Sequence, residues 1–162
     1  MTSPPCALQP RTRLPLHRRL LPLAAVAVAR PLAGLQPRYL RPVLTALSTG
    51  ARPGTAAQAS AARAAVVAVS LRCAVHNCLQ RSIATAVLCR FGGAWPTWQA
   101  GVRTTPFAAH AWVEAEGRVI DEPYPDGYFR PLVTVAPKQR SQPSQPSPPS
   151  QPSPPSPPAR TA

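Results

Sequence analysis

Two residues in this chain stand where they could do covalent chemistry. Cys78 directly follows Asn77 and opens the run NCLQRSIATAVLCRFGG, and His110 lies further on in AHAWVEAEG. Asn77 suits an N-cap, so Cys78 is expected at the first position of a helix. There the free backbone N–H groups and the positive end of the helix dipole favour a thiolate. The same amides, that of Cys78 included, can donate to an oxyanion. His110, set between Ala109 and Ala111 and close to Trp112, is expected on a strand with its ring accessible. A thiol at a helix start facing an imidazole on a strand is a nucleophile with its base.

Such a pair needs an acid to hold the ring. The strand turns at Glu116-Gly117 and returns through RVIDE, which brings Asp121 and Glu122 level with His110. A two-residue loop pairs Ala115 with Arg118, puts Asp121 on the face of His110 and points Glu122 away. A three-residue loop moves the pairing by one and can set His110 opposite Glu122. Hairpin parity therefore makes the two acids alternatives and leaves both open.

The other candidates read as structural. Cys89 lies near the end of its helix, Cys73 precedes the helix, and Cys6 falls in a Pro- and Arg-rich start. Cys73, His76, Cys78 and Cys89 have irregular spacing and no CxxC pair, so no metal site is expected. His76 reads as a loop residue, and no cofactor is expected.

The elements that must position these groups follow from period and punctuation. Residues 17–50 read as two short helices, with Pro42 in the first turn of the second and Gly50 at its end. TAAQ, Thr55 to Gln58, matches a capping box and opens an Ala-rich helix to about residue 71. Asn77 caps the next helix, whose Leu79, Ile83, Ala86 and Val87 form one apolar stripe, and Gly92-Gly93 stops it. The period then becomes two, and WPTWQAGVR, AHAWVEAEG and RVIDE read as three strands. The expected fold class is α+β: N-terminal helices, then a nucleophile-bearing helix packed on a small antiparallel sheet.

Composition divides the chain into a basic helical arm (1–54), a core (55–136) and a disordered Pro/Ser/Gln-rich tail (137–162). The net charge of +13 is uneven, because residues 1–70 hold nine arginines and no acid. Residues 71–136 hold six arginines against all five acids and are close to neutral. Arginine makes up nearly all the basic residues in a chain rich in Ala and Pro, which points to composition bias. No nucleic-acid motif and no stacked aromatics accompany the charge, so no nucleic-acid partner is expected. Contact of the arm with an anionic membrane surface stays open. The apolar run from Leu20 to Ala29 contains Pro22, ends at Arg30 and is too short to span a bilayer. It is expected to be a helix packed on the domain, and the cysteines are expected to be free thiols in the cytoplasm.

The runs CLQRSIATAVLCRFG, GVRTTPFAAHAWVEAEGRVIDEP and YFRPLVTV together resemble one bacterial family. It is the transglutaminase-like leader peptidase of lasso-peptide biosynthesis, in the split form without a leader-recognition domain. The resemblance covers about residues 55–135 and rests on a C-L-x-R-S helix start, a G-V-R-x-x-P-F strand and turn, and H-A-W-V-E. It implies a transglutaminase/papain-like core and a Cys-His-Asp triad, with Cys78 as nucleophile and His110 as base. The family's acid falls about a dozen residues after the histidine. Here that position holds Glu122, a departure from aspartate, with Asp121 one residue earlier. Arg81 and Ser82 match the motif as supporting residues, and Arg103, Pro106 and Phe107 as shapers of the groove or the turn. The implied partners are the precursor peptide, a separate leader-recognition protein and an ATP-dependent cyclase. Two other readings use the same residues differently: a transglutaminase or amidase-type acyl transferase, and a non-enzymatic basic scaffold whose Cys and His are structural.

Overall fold

A computed structural model describes residues 15, 18–75, 77–125 and 127–138. The Pro/Ser tail beyond residue 138, Cys6 and His76 lie outside the described residues.

Five helices precede most of the sheet: α1 (Leu20–Ala33), α2 (Pro37–Ser48), α3 (Ala56–Val69), α4 (Leu71–Val75) and α5 (Cys78–Phe91). A short strand β1 (Arg52–Pro53) pairs in parallel with β2 (Ala94–Trp95). Four strands, β3 (Thr97–Arg103), β4 (Ala108–Ala115), β5 (Arg118–Val119) and β6 (Arg130–Val135), form an antiparallel sheet in the order β5-β4-β3-β6. The class is α+β, with helices packed on one face of a small antiparallel sheet.

Local signals explain the helix starts. The Thr55 hydroxyl accepts from the Gln58 N–H and the Gln58 side chain accepts from the Thr55 N–H, each at 3.2 Å, which completes the capping box of α3. α2 begins earlier than expected: Pro37 takes its first turn and Pro42 lies inside the helix. Pro37 fits there because its missing N–H is one that has no intrahelical partner.

The helix that carries Cys78 is the centre of the molecule. The expected single apolar stripe is too narrow a description, since Gln80 to Val87 are all buried. α1 and α3 pack on α5, and β4 packs on it too. Its polar side chains find partners inside the protein, though Arg81 Nε is left without one. Thr85 donates back to the Arg81 carbonyl at 2.9 Å. Ser82 donates to the Leu79 carbonyl and accepts from the Trp98 indole N–H, both at 3.0 Å, which locks the helix to β3.

Residues of the basic arm share this core. Ala25, Ala29, Leu40 and Leu44 belong to the same buried cluster as Val66, Ile83, Trp95, Trp98 and Val113. On β4 the alternate residues Ala111, Val113 and Ala115 face that core. The intervening His110, Trp112 and Glu114 line a separate pocket.

β6 is a strand that sequence period did not reveal. It carries Pro131 and lies at the sheet edge, where a missing N–H is tolerated. Its register against β3 shifts between Ala100 and Gly101. There the two backbones approach so closely that a Cβ on Gly101 would strike the Arg130 carbonyl and come within 2.9 Å of the Pro131 Cα.

Candidate active site

Cys78 is the first residue of α5, as its neighbours in sequence suggest. Asn77 occupies the N-cap position, but its side chain makes no capping hydrogen bond; only its carbonyl serves, accepting from the Arg81 N–H at 2.8 Å. The helix start therefore has no side-chain cap, which leaves its first-turn amides available to a ligand.

The Cys78 thiol is half-buried and shares the wall of one cleft with His110 and Ala111. Burial by itself pushes this thiol up, yet the contacts with His110 and the Ala111 N–H, together with the charges of His110 and Arg81, bring it below the ordinary thiol value. The other cysteines behave in the opposite way. Burial holds Cys73 above its usual value and pushes Cys89 up to about 11.

His110 lies on β4 opposite Gly101. Its Nε2 stands 3.0 Å from a carboxylate oxygen of Glu122. With Nε2 so engaged, Nδ1 is the nitrogen left for Cys78. Burial lowers the imidazole, but hydrogen bonds and charge from Cys78 and Glu122 outweigh it and push His110 up to about 9. A depressed thiol beside a raised imidazole favours transfer of the proton from sulfur to the ring.

Glu122 is the acid that meets the histidine. Its side chain is only 4% exposed, and two arginines hold it. Arg81 of α5 donates to both carboxylate oxygens at 3.1 and 3.0 Å, and Arg63 of α3 donates at 3.3 Å. Burial raises this carboxyl, but His110, Arg81 and Arg63 override it and keep it below the usual carboxylate range. Asp121 goes elsewhere: its carboxylate accepts from the Ser60 hydroxyl at 2.6 Å.

Hairpin parity alone would place these two acids the other way. The loop is the two-residue one, with Ala115 opposite Arg118 and Glu114 opposite Val119. Both loop residues have positive φ, 54° at Glu116 and 72° at Gly117. The strand pairing, however, ends with the Ile120 N–H donating to the Val113 carbonyl at 3.1 Å. Asp121 then adopts φ 50°, a left-handed conformation unusual for a residue other than glycine. That turn breaks the two-residue alternation, sends Asp121 to α3 and swings Glu122 back under His110.

Arg63 is the site residue that the sequence pattern did not single out. Its one visible signal is a lone arginine in a helix of Ala and Val. Arg81, expected as a supporting residue, joins three elements by bonding Glu122 and also donating to the Cys73 carbonyl at 3.3 Å. Arg103 stands apart from the Cys78 thiol; it donates to the Pro106 carbonyl and the Tyr128 hydroxyl, and its guanidinium lies 4.5 Å over the Tyr128 ring. Phe107 is 76% exposed in the β3–β4 turn.

Cys78 and His110 open together onto an apolar cleft of about 430 Å³. Leu35, Leu40, Leu79, Trp98, Val102 and Val133 line it, and Arg41 is its one charged side chain besides the pair. A family model described as the transglutaminase-like superfamily matches residues 22–134, most of the chain. No curated protein and no solved structure matches it.

Proposed function

The chain belongs to the transglutaminase-like superfamily, and we propose that within it this protein is a cysteine peptidase using Cys78, His110 and Glu122. The superfamily holds both peptidases and acyl transferases on one covalent scheme. The observation that carries the catalytic reading is a thiol sharing one cleft with an imidazole that a doubly clamped carboxylate holds.

The steps follow from that line. The Cys78 thiolate attacks the scissile carbonyl carbon, and the carbonyl oxygen takes the negative charge. The Cys78 N–H and its first-turn neighbours can donate to that oxygen. His110, already protonated, gives its proton to the departing amine, and a thioester to Cys78 remains. Neutral His110 then takes a proton from water, the hydroxide attacks the thioester carbon, and the acid product leaves as the thiolate reforms. Glu122 keeps the ring oriented and balances the imidazolium charge.

The substrate we propose is the leader segment of a ribosomally made lasso-peptide precursor. The C-L-x-R-S, G-V-R-x-x-P-F and H-A-W-V-E motifs support it, and so does an apolar cleft suited to an extended peptide. A separate recognition protein would deliver the leader, and a cyclase would consume the freed amine, both in the cytoplasm. No helix among the described residues is long and apolar enough to cross a membrane.

Incubating the protein with a precursor and its recognition protein, followed by mass spectrometry, tests this reading. Wild type is expected to release the leader by adding one water, and Cys78→Ala to release none while keeping its circular dichroism spectrum. Full cleavage by Cys78→Ala would reject the mechanism. Transfer of the acyl group to an added amine in place of water would assign the protein to the acyl transferases.

A further inference from the structure

His110 and Glu122 border a second pocket, on the side of the ring away from the cleft that Cys78 lines. This cavity, of about 320 Å³, lies among Trp112, Glu114, Tyr124, Tyr128, Phe129 and Gln99, and Cys78 does not line it. Its walls are aromatic. Phe129 stacks on His110 at 4.9 Å, Tyr124 and Tyr128 stack at 5.0 Å, and Trp112 lies 6.2 Å from Phe129.

Its carboxylate Glu114 is held by neutral donors. The Glu114 carboxylate accepts from Gln99 Nε2 at 2.8 Å and from Trp112 Nε1 at 2.9 Å. Both donors are neutral, and no ion pair reaches Glu114 among the described residues. Because Glu114 needs a donor from Gln99, the amide orientation is fixed, and Gln99 Oε1 is left without a hydrogen-bond partner. Gln99 is 8% exposed, so this acceptor is buried at the pocket wall. Unpaired buried acceptors are costly and call for a donor. Among the described residues that line it, His110 is the one basic side chain, and a Glu122 carboxylate oxygen stands 3.0 Å from its ring Nε2.

We propose that this pocket binds the guanidinium or ammonium group of a basic side chain in the peptide on which the protein acts. Glu114 supplies the counter-charge and the rings supply cation–π faces. The chain's own Arg103 already lies over the Tyr128 ring, so the cluster accepts a guanidinium face. Since Cys78 does not line the pocket, the bound group is recognised and not acylated. That the cation belongs to the substrate rests on the peptidase reading; that the pocket prefers a cation does not.

The test is tryptophan-fluorescence titration of the full-length protein with N-acetylarginine amide and with its neutral isostere N-acetylcitrulline amide. The arginine compound is expected to bind about tenfold more tightly or better, and Glu114→Gln to abolish the difference. In precursor cleavage, Glu114→Gln should raise KM with kcat unchanged. Equal binding of the two compounds to the unsubstituted protein, or no saturable binding of either, would overturn the proposal whether or not the variant folds. An active Cys78→Ala would defeat the peptidase reading and leave the binding result standing.

Discussion

At the scale of single residues, the site separates groups that react from groups that hold them. Glu122 touches His110, and Asp121 does not. Glu122→Gln should therefore lower turnover by about 100-fold. Asp121→Asn should change it by less than about threefold, because asparagine tolerates the left-handed backbone there. Steady-state cleavage rates check both, and equal losses would mean the assignment of the acid is wrong. The pH profile carries a sign as well. Activity requires a charged thiolate and a protonated imidazole, so it should fall at low pH as Cys78 gains its proton. It should fall again as pH rises through about 9, where His110 loses its own. Removing the Glu122 charge withdraws one of the contacts that raise His110, so the alkaline limb should move to lower pH in Glu122→Gln. Cys78 and His110 are legible in the sequence, because a cap-like residue before a thiol and a period-two run around a histidine are short-range signals. The choice between the two acids is not, since it turns on a single left-handed residue, Asp121, that is not glycine.

At the scale of elements, the closeness of β3 and β6 is the sharpest constraint. Gly101→Ala would drive a methyl group into the Arg130 backbone. The expected cost is about 1–3 kcal/mol, seen as a fall in melting temperature of roughly 4–12 °C. A melting temperature unchanged by that substitution would contradict the described β3–β6 register. The same pairing shows where period fails as a guide. Pro131 argues against a strand when read locally, and only the edge position makes it tolerable. The start of α3 was legible because a capping box is complete within four residues. The all-round burial of α5 was not, because Gln80, Arg81, Ser82 and Thr85 look like a solvent face until their internal partners are known.

At the scale of the whole molecule, the basic arm is structural. Ala25, Ala29, Leu40 and Leu44 fill the core around α5, and Leu35, Leu40 and Arg41 wall the cleft. Losing a buried leucine commonly costs about 2–5 kcal/mol, against a total stability of about 5–15 kcal/mol. A chain beginning at residue 55 should therefore show no cooperative thermal unfolding; a sharp transition like that of the full chain would contradict a shared core. The apolar run from Leu20 to Ala29 pointed to this, whereas the arginine-rich composition around it hid that Leu40 and Leu44 share the same core. The surroundings of Cys78 shift its thiol toward the charged form. The rate of iodoacetamide alkylation at each cysteine, followed by mass spectrometry across pH, measures that shift directly. In the native protein Cys78 should react at pH values below the ordinary thiol range, with Cys73 and Cys89 silent, and in urea the distinction should vanish. Native Cys78 titrating like a free thiol, or reacting no faster than Cys89, would contradict the thiolate on which the mechanism depends.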